Sequence, residues 1–208
     1  MGRSLRPVSP IYLLAAVISW PLVKLGFRLK ARGIEDLPAG GFVLAANHTS
    51  NFDPWPLAIP LFPRRQLRFM GKSELFNPIL KPLLLGGGAF PVRRGQADVE
   101  AIEQAVELVR EGEIVVMFPE GTRRKKGLRK RREARAHTGA ARIAIAAGSP
   151  LVPAAIKGTD RLSRLGPIRV AYGKPIPLDD LRDAEITPAS REATERLMAA
   201  IGELEASL

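Results

Sequence analysis

His48 and Asp53 lie five positions apart in the stretch Ala45-Ala46-Asn47-His48-Thr49-Ser50-Asn51-Phe52-Asp53-Pro54. A tight polar loop of that length can fold back so that the carboxylate accepts the imidazole N–H. This fixes the tautomer and leaves the other ring nitrogen as a base. The plainer alternative is that His48 satisfies a loop while Asp53 only caps the helix that Pro54 opens, since Asp suits the N-cap and Pro the first helical position. On this stretch alone both stand. A second polar block, Pro119-Glu120-Gly121-Thr122-Arg123, follows the apolar run Ile114 to Phe118. Its guanidinium can chelate two oxygens of a phosphate.

The chain has no cysteine and only two histidines, His48 and His137. Thiolate nucleophiles, disulfides and thiolate or histidine-rich metal centres are thereby excluded, and no metal is expected. The net charge of +11 favours anionic partners, and much of the excess is gathered between Arg123 and Arg135. That run contains no aromatic residue, which argues against a single-strand nucleic-acid binder and against any specific nucleic-acid partner. A solvated loop, a clamp on an anionic membrane surface and a docking patch for an acidic carrier protein all fit it.

The elements that must position these residues are those of an α/β domain. Gly41 to Ala46 is an uncharged apolar run that reads as a buried strand ending at His48, the place where open α/β sheets put their chemistry. Phe27 to Arg32 alternates as an edge strand does, Pro56 to Leu61 is helical, and Leu67 to Met70 is a short strand. Gly86-Gly87-Gly88 is a hinge or close-approach loop. Val99, Ile102, Ala105, Val106 and Val109 fall at helical spacing within Ala97 to Arg110, and Ile114 to Phe118 is a buried strand. A helix from Thr138 to Ala147, strands at Leu151 to Ile156 and Ile168 to Tyr172, and a terminal helix capped by Thr187-Pro188 complete the pattern. The expected fold is a single α/β domain over residues 31–208, with a mixed central sheet flanked by helices.

Residues 1–30 form a separate expectation. The apolar run from Ile11 to Phe27 would span about 26 Å as a helix, short of the roughly 30 Å hydrocarbon core, and Pro21 and Lys24 interrupt it. An interfacial membrane-binding helix, with Tyr12 and Trp20 near the headgroups, fits better than a span. A signal peptide lacks its small-residue cleavage site here, and an ordinary core helix is the remaining alternative.

The blocks Asn47-His48-x-Ser50-x-x-Asp53, Lys72-x-Glu74-Leu75, Gly88-Ala89-Phe90-Pro91-Val92-Arg93-Arg94, Phe118-Pro119-Glu120-Gly121-Thr122-Arg123 and Val152-Pro153-Ala154-Ala155-Ile156 occur in that order. In this the chain resembles the glycerolipid acyltransferases, the membrane-associated 1-acyl-sn-glycerol-3-phosphate acyltransferases, over about residues 27–176. The resemblance implies transfer of a fatty acyl group from a thioester, on coenzyme A or acyl carrier protein, to the free hydroxyl of lysophosphatidate, giving phosphatidate for phospholipid synthesis. It implies no cofactor beyond that donor substrate, a membrane lipid acceptor, and a place on the cytoplasmic face of the cell membrane. His48 and Asp53 are the implied catalytic pair. Lys72, Arg94, Glu120, Gly121, Thr122 and Arg123 are the implied substrate-binding residues, with Arg123 gripping the phosphate. Glu120 either orients Arg123, accepts from a glycerol hydroxyl or forms a structural ion pair. Where the family often has a lysine, this chain has His137-Thr138-Gly139, and His137 is either a second polar contact or a surface or capping residue. Two alternatives remain: an acceptor that is another hydroxylated lipid, and a non-catalytic basic protein that binds membranes or nucleic acid. The latter leaves the His48/Asp53 and Glu120/Arg123 blocks unexplained.

Overall fold

A computed structural model describes residues 8–92, 99–121 and 136–208. Its centre is a seven-stranded sheet of β1 (Lys30–Arg32), β2 (Phe42–Ala46), β3 (Leu67–Lys72), β4 (Ala89–Val92), β5 (Ile114–Met117), β6 (Leu151–Lys157) and β7 (Arg169–Tyr172), in the spatial order β1-β7-β6-β2-β5-β3-β4. Every pairing is parallel except β6 with β7, so the sheet is mixed, and β1 forms one edge.

β2 is buried at all of its residues because both faces are covered. Strand periodicity divides its side chains: Phe42, Leu44 and Ala46 join one core cluster, Val43 and Ala45 the other. The first core is closed by α1 (Pro10–Pro21), through Ala16, and by α2 (Pro54–Ala58), through Leu57. The second is closed by α4 (Val99–Arg110), α5 (Gly139–Ala147) and α6 (Ile186–Ala206). The short α3 (Lys81–Gly86) precedes β4 and packs against α1, where a Cβ on Gly86 would meet the Ile11 side chain at 2.5 Å. Gly88 holds φ +92, and a Cβ there would strike the Leu67 carbonyl, so the glycine run is a close-approach element.

Three local expectations change. After Pro21 the α-helix gives way to a π-helical turn, Leu22–Gly26, in which the Phe27 N–H donates to the Leu22 carbonyl at 3.0 Å. Tyr12 does not face a headgroup layer. It is 7% exposed, its hydroxyl accepts the Leu67 N–H at 3.3 Å, and burial pushes its pKa up to about 12. The terminal helix begins two residues earlier than Thr187-Pro188 suggests, at Ile186 with Glu185 as N-cap, so Pro188 lies inside its first turn, where a missing N–H is harmless.

Candidate active site

Because β2, β5, β6, β3 and β4 run parallel, their C-terminal ends share one edge of the sheet. His48 follows the end of β2, Phe118 the end of β5 and Thr159 the end of β6, and these three strands are neighbours with Ala45 paired to both Met117 and Pro153. Crossovers leave β2 toward β3 and β5 toward β6 in opposite directions, which opens the crevice where α/β sheets bind ligands.

Asn47 makes the departure from β2 rigid. It is 1% exposed, its Nδ2 donates to the Ile156 carbonyl at 2.9 Å, and its Oδ1 accepts the Ile156 N–H at 2.8 Å. The side-chain amide thus continues the β2–β6 hydrogen bonding past the point where the backbone turns away. The loop that follows closes on Asp53. Its Oδ2 accepts the Thr49 N–H at 2.7 Å, the Ser50 N–H at 2.9 Å and His48 Nδ1 at 2.8 Å, while Oδ1 accepts the Thr159 hydroxyl at 2.6 Å. Asp53 does precede α2 at the N-cap position, but it makes no side-chain cap bond, because its carboxylate faces back into the loop.

Burial pushes the Asp53 carboxyl up, yet the hydrogen bonds from His48, Ser50, Thr159 and Thr49 outweigh it and hold the group below its ordinary value. Asp53 is therefore an acceptor only, and the shared proton sits on His48 Nδ1. In the neutral imidazole Nε2 then carries the lone pair, which is the tautomer a general base needs. The face of the imidazole is covered by Phe118, with ring centroids 4.1 Å apart and planes 20° apart. Asp53 is fully buried and His48 is 17% exposed, so the base is reachable and its partner is not.

The other residues singled out in the sequence are distributed unevenly. Gly121 and the half-buried Glu120 lie in the turn after β5, where the Gly121 N–H donates to the Phe118 carbonyl at 2.9 Å. Gly121 holds φ +67, and a Cβ on it would run into the His137 imidazole. Lys72 is exposed at the end of β3, two strands from β2 and so about 10 Å away along the same edge. The structure brings Lys72 to this edge without joining it to the His48 cluster. Arg94, Thr122, Arg123 and the basic run lie outside the described residues. Among the described residues no group of acidic or histidine side chains is arranged to hold a metal ion.

Sequence reasoning missed Phe118, Thr159 and the role of Asn47. Phe118 stood in the sequence beside Pro119-Glu120-Gly121, but its stacking on His48, like the contact of Thr159 with Asp53, depends on β5 and β6 being the strands that flank β2. Also missed was an apolar cavity of about 380 Å³ beneath α1, whose wall includes Ile11 and Ala16 of α1, Trp55 and Ala58 of α2, Phe69 and Leu83. Pro54, next in the chain to Asp53, is part of that wall.

Residues 28–157 match the acyltransferase family model. The 1-acyl-sn-glycerol-3-phosphate acyltransferase of Bacillus subtilis is 34% identical over 185 residues, which cover 86% of this chain and 89% of that protein. The chloroplastic 1-acyl-sn-glycerol-3-phosphate acyltransferase BAT2 of Brassica napus is 30% identical over 72% of this chain and 45% of its own length. The chain belongs to the acyltransferase family. Its fold is also that of the crystal structure of the 1-acyl-sn-glycerophosphate acyltransferase PlsC from Thermotoga maritima, with a TM-score of 0.59 at 23% identity over 90% of this chain and 79% of the other.

Proposed function

We propose that the protein transfers a fatty acyl group from a thioester to the free hydroxyl of lysophosphatidate, with His48 as general base. The observation that carries this reading is the 2.8 Å contact between His48 Nδ1 and a buried Asp53 at the C-terminal edge of the sheet. An alcohol is a poor nucleophile at neutral pH, and a positioned base accelerates its attack by roughly 10²- to 10⁴-fold. Nε2 takes the hydroxyl proton as the oxygen attacks the thioester carbonyl. The C–S bond then breaks, the thiolate leaves, and the proton returns to sulfur. Asp53 stabilises the imidazolium in between. The acceptor supplies the oxygen, so no enzyme nucleophile and no cofactor are needed.

Arg123 and Thr122, with Arg94 and Lys72, are the proposed grip on the acceptor phosphate, and Gly121 and Glu120 shape that side of the pocket. The cavity walled in part by Pro54 offers an apolar bed for an acyl chain. Membrane contact is proposed through residues 1–30. Leu14, Val17, Ile18, Leu22 and Leu25 on and after α1 are each more than half exposed, and Ile79 and Leu83 near α3 extend this apolar surface. Among the described residues no helix is long and apolar enough to cross a membrane; the proposed attachment is interfacial, and its proposed side is the cytoplasmic leaflet. Acyl-CoA and acyl carrier protein are both retained as donors.

The test is release of free thiol from long-chain acyl-CoA by purified protein, with and without lysophosphatidate, for wild type and His48→Ala. Acceptor-dependent release that falls at least 100-fold in the variant is the expected outcome. The same assay with acyl carrier protein identifies the donor. Full activity in His48→Ala would end the base assignment.

A further inference from the structure

Thr159 is 2% exposed and reaches Asp53 from the turn after the neighbouring strand β6, just beyond the stretch that matches the family model, which ends at residue 157. Gly158, at φ +99, makes the turn that delivers it; a Cβ there would strike the Pro167 carbonyl. The two oxygens of Asp53 are served very differently. Oδ2 accepts three N–H groups, from His48, Thr49 and Ser50. Oδ1 has the Thr159 hydroxyl at 2.6 Å and, more distantly, the Thr49 hydroxyl at 3.4 Å.

Counting protons orders the chain of hydroxyls. The single hydroxyl proton of Thr159 goes to Oδ1. In its 2.7 Å contact with Thr49 the Thr159 oxygen must therefore accept, and Thr49 donates. The result is a relay of donors, Thr49 to Thr159 to Asp53, that ends on the carboxylate oxygen turned away from the histidine. Such a relay fixes the rotation of the carboxylate about its Cβ–Cγ bond. Without Thr159, Oδ1 would keep only the 3.4 Å contact from the Thr49 hydroxyl, and the three short bonds, all gathered on Oδ2, permit the group to swing.

We infer that Thr159 is a positioning residue of the transfer reaction, whose hydroxyl holds the Asp53 carboxylate in the plane that keeps Oδ2 on His48 Nδ1. This rests on the proposed role of His48 as base. It assigns a third residue to the proton-handling unit, acting through Asp53 and not on substrate. Thr159→Val keeps the shape and removes only the donor, whereas Thr159→Ser keeps the donor.

The experiment compares both variants with wild type by steady-state thioester turnover across pH, and by nitrogen-15 and proton NMR of the histidine rings. The chain has only two histidines, so His137 serves as an internal reference. In Thr159→Val kcat is expected to fall about tenfold or more with little change in the acceptor KM, because misplacing a catalytic group acts on the transition state. The acid limb of the pH profile, a property of the coupled His48–Asp53 pair, moves to higher pH, since a carboxylate with one donor fewer holds a proton more tightly. The His48 Nδ1 proton signal shifts or exchanges away while the His137 signals stay. Thr159→Ser restores all three. A folded Thr159→Val with wild-type kcat, pH profile and His48 signal overturns the inference. If the valine variant does not fold, Thr159→Ala removes the same donor without filling its place and is judged by the same readings. Full activity in His48→Ala would instead remove the base assignment, and the NMR readings would still decide whether Thr159 orders the pair.

Discussion

Phe118 lies flat against the imidazole of His48, with 4.1 Å between ring centroids and 20° between planes. The ring blocks one face of the histidine, so the imidazole cannot pivot toward β5. An aromatic face also favours a cation, and the imidazolium formed during proton transfer is one. Phe118→Leu keeps apolar bulk and loses the aromatic face. At about 1 kcal/mol for that contact, kcat should fall roughly fivefold with the fold intact. Turnover of the purified variant, beside its thermal melt, checks this. Wild-type kcat would mean that the stack only fills space.

How much of this site was legible beforehand depends on what each residue offered the reader. His48 and Asp53 announced themselves by type and spacing, and the strands around them by apolar runs bounded by glycine and proline. The α/β fold with its mixed sheet could therefore be anticipated. The strand Ala89–Val92 was not recognised, because Pro91 interrupts a run too short for its alternation to count. Tyr12 was misplaced at a headgroup layer because an apolar helix with a tyrosine looks the same on a membrane and on a core. Thr159 was invisible, since its meaning depends on which strand lies beside β2, and pairing order is not a local property.

Asn47 holds two backbone groups of Ile156 that otherwise lie buried and unpaired. Asn47→Ala should destabilise the protein by about 2–4 kcal/mol, one desolvation penalty for each orphaned group. For a domain of this size that is a melting temperature lower by roughly 5–15 °C. Chemical denaturation checks the free energy directly. A loss under about 0.5 kcal/mol would show that water replaces the amide.

Asp53 links stability to pH. Its carboxyl is held below the ordinary value of 3.8 in the folded state, so the stabilisation it brings is present above that value and is lost as pH falls through the folded pKa. Asp53→Asn has no such titration and cannot serve three N–H donors equally well. The stability gap between wild type and Asp53→Asn should therefore be widest near about pH 6 and narrow below about pH 4. Urea denaturation of the pair across that range measures it. A gap that stays constant would mean that the carboxylate's charge is not what the surrounding donors stabilise.

Ile18 is 69% exposed on α1 and Ile79 is 87% exposed just before α3. If both enter a lipid interface, each contributes about 1.5–3 kcal/mol, and replacement by aspartate removes that and adds a charge repelled by anionic lipid. Ile18→Asp and Ile79→Asp should each bind vesicles of anionic phospholipid at least tenfold more weakly. Turnover of a short-chain, water-soluble thioester should be unchanged. Undiminished sedimentation with vesicles would remove that side chain from the membrane-contacting surface.

Gly121 and His137 form a pair whose coupling can be measured. Glycine is needed at position 121 for two separable reasons: its φ of +67, and the imidazole of His137 standing where a Cβ would go. The His137 N–H donates to the Pro119 carbonyl at 2.8 Å, so the histidine is anchored by its backbone and cannot retreat as a whole. Gly121→Ala should thus cost about 1 kcal/mol for the left-handed backbone and a further 1–3 kcal/mol for the collision. In a His137→Ala background only the first should remain. A double-mutant cycle by urea denaturation isolates the difference as a coupling of about 1–3 kcal/mol. Additivity within about 0.5 kcal/mol would show that the imidazole swings aside and that backbone conformation alone demands glycine there.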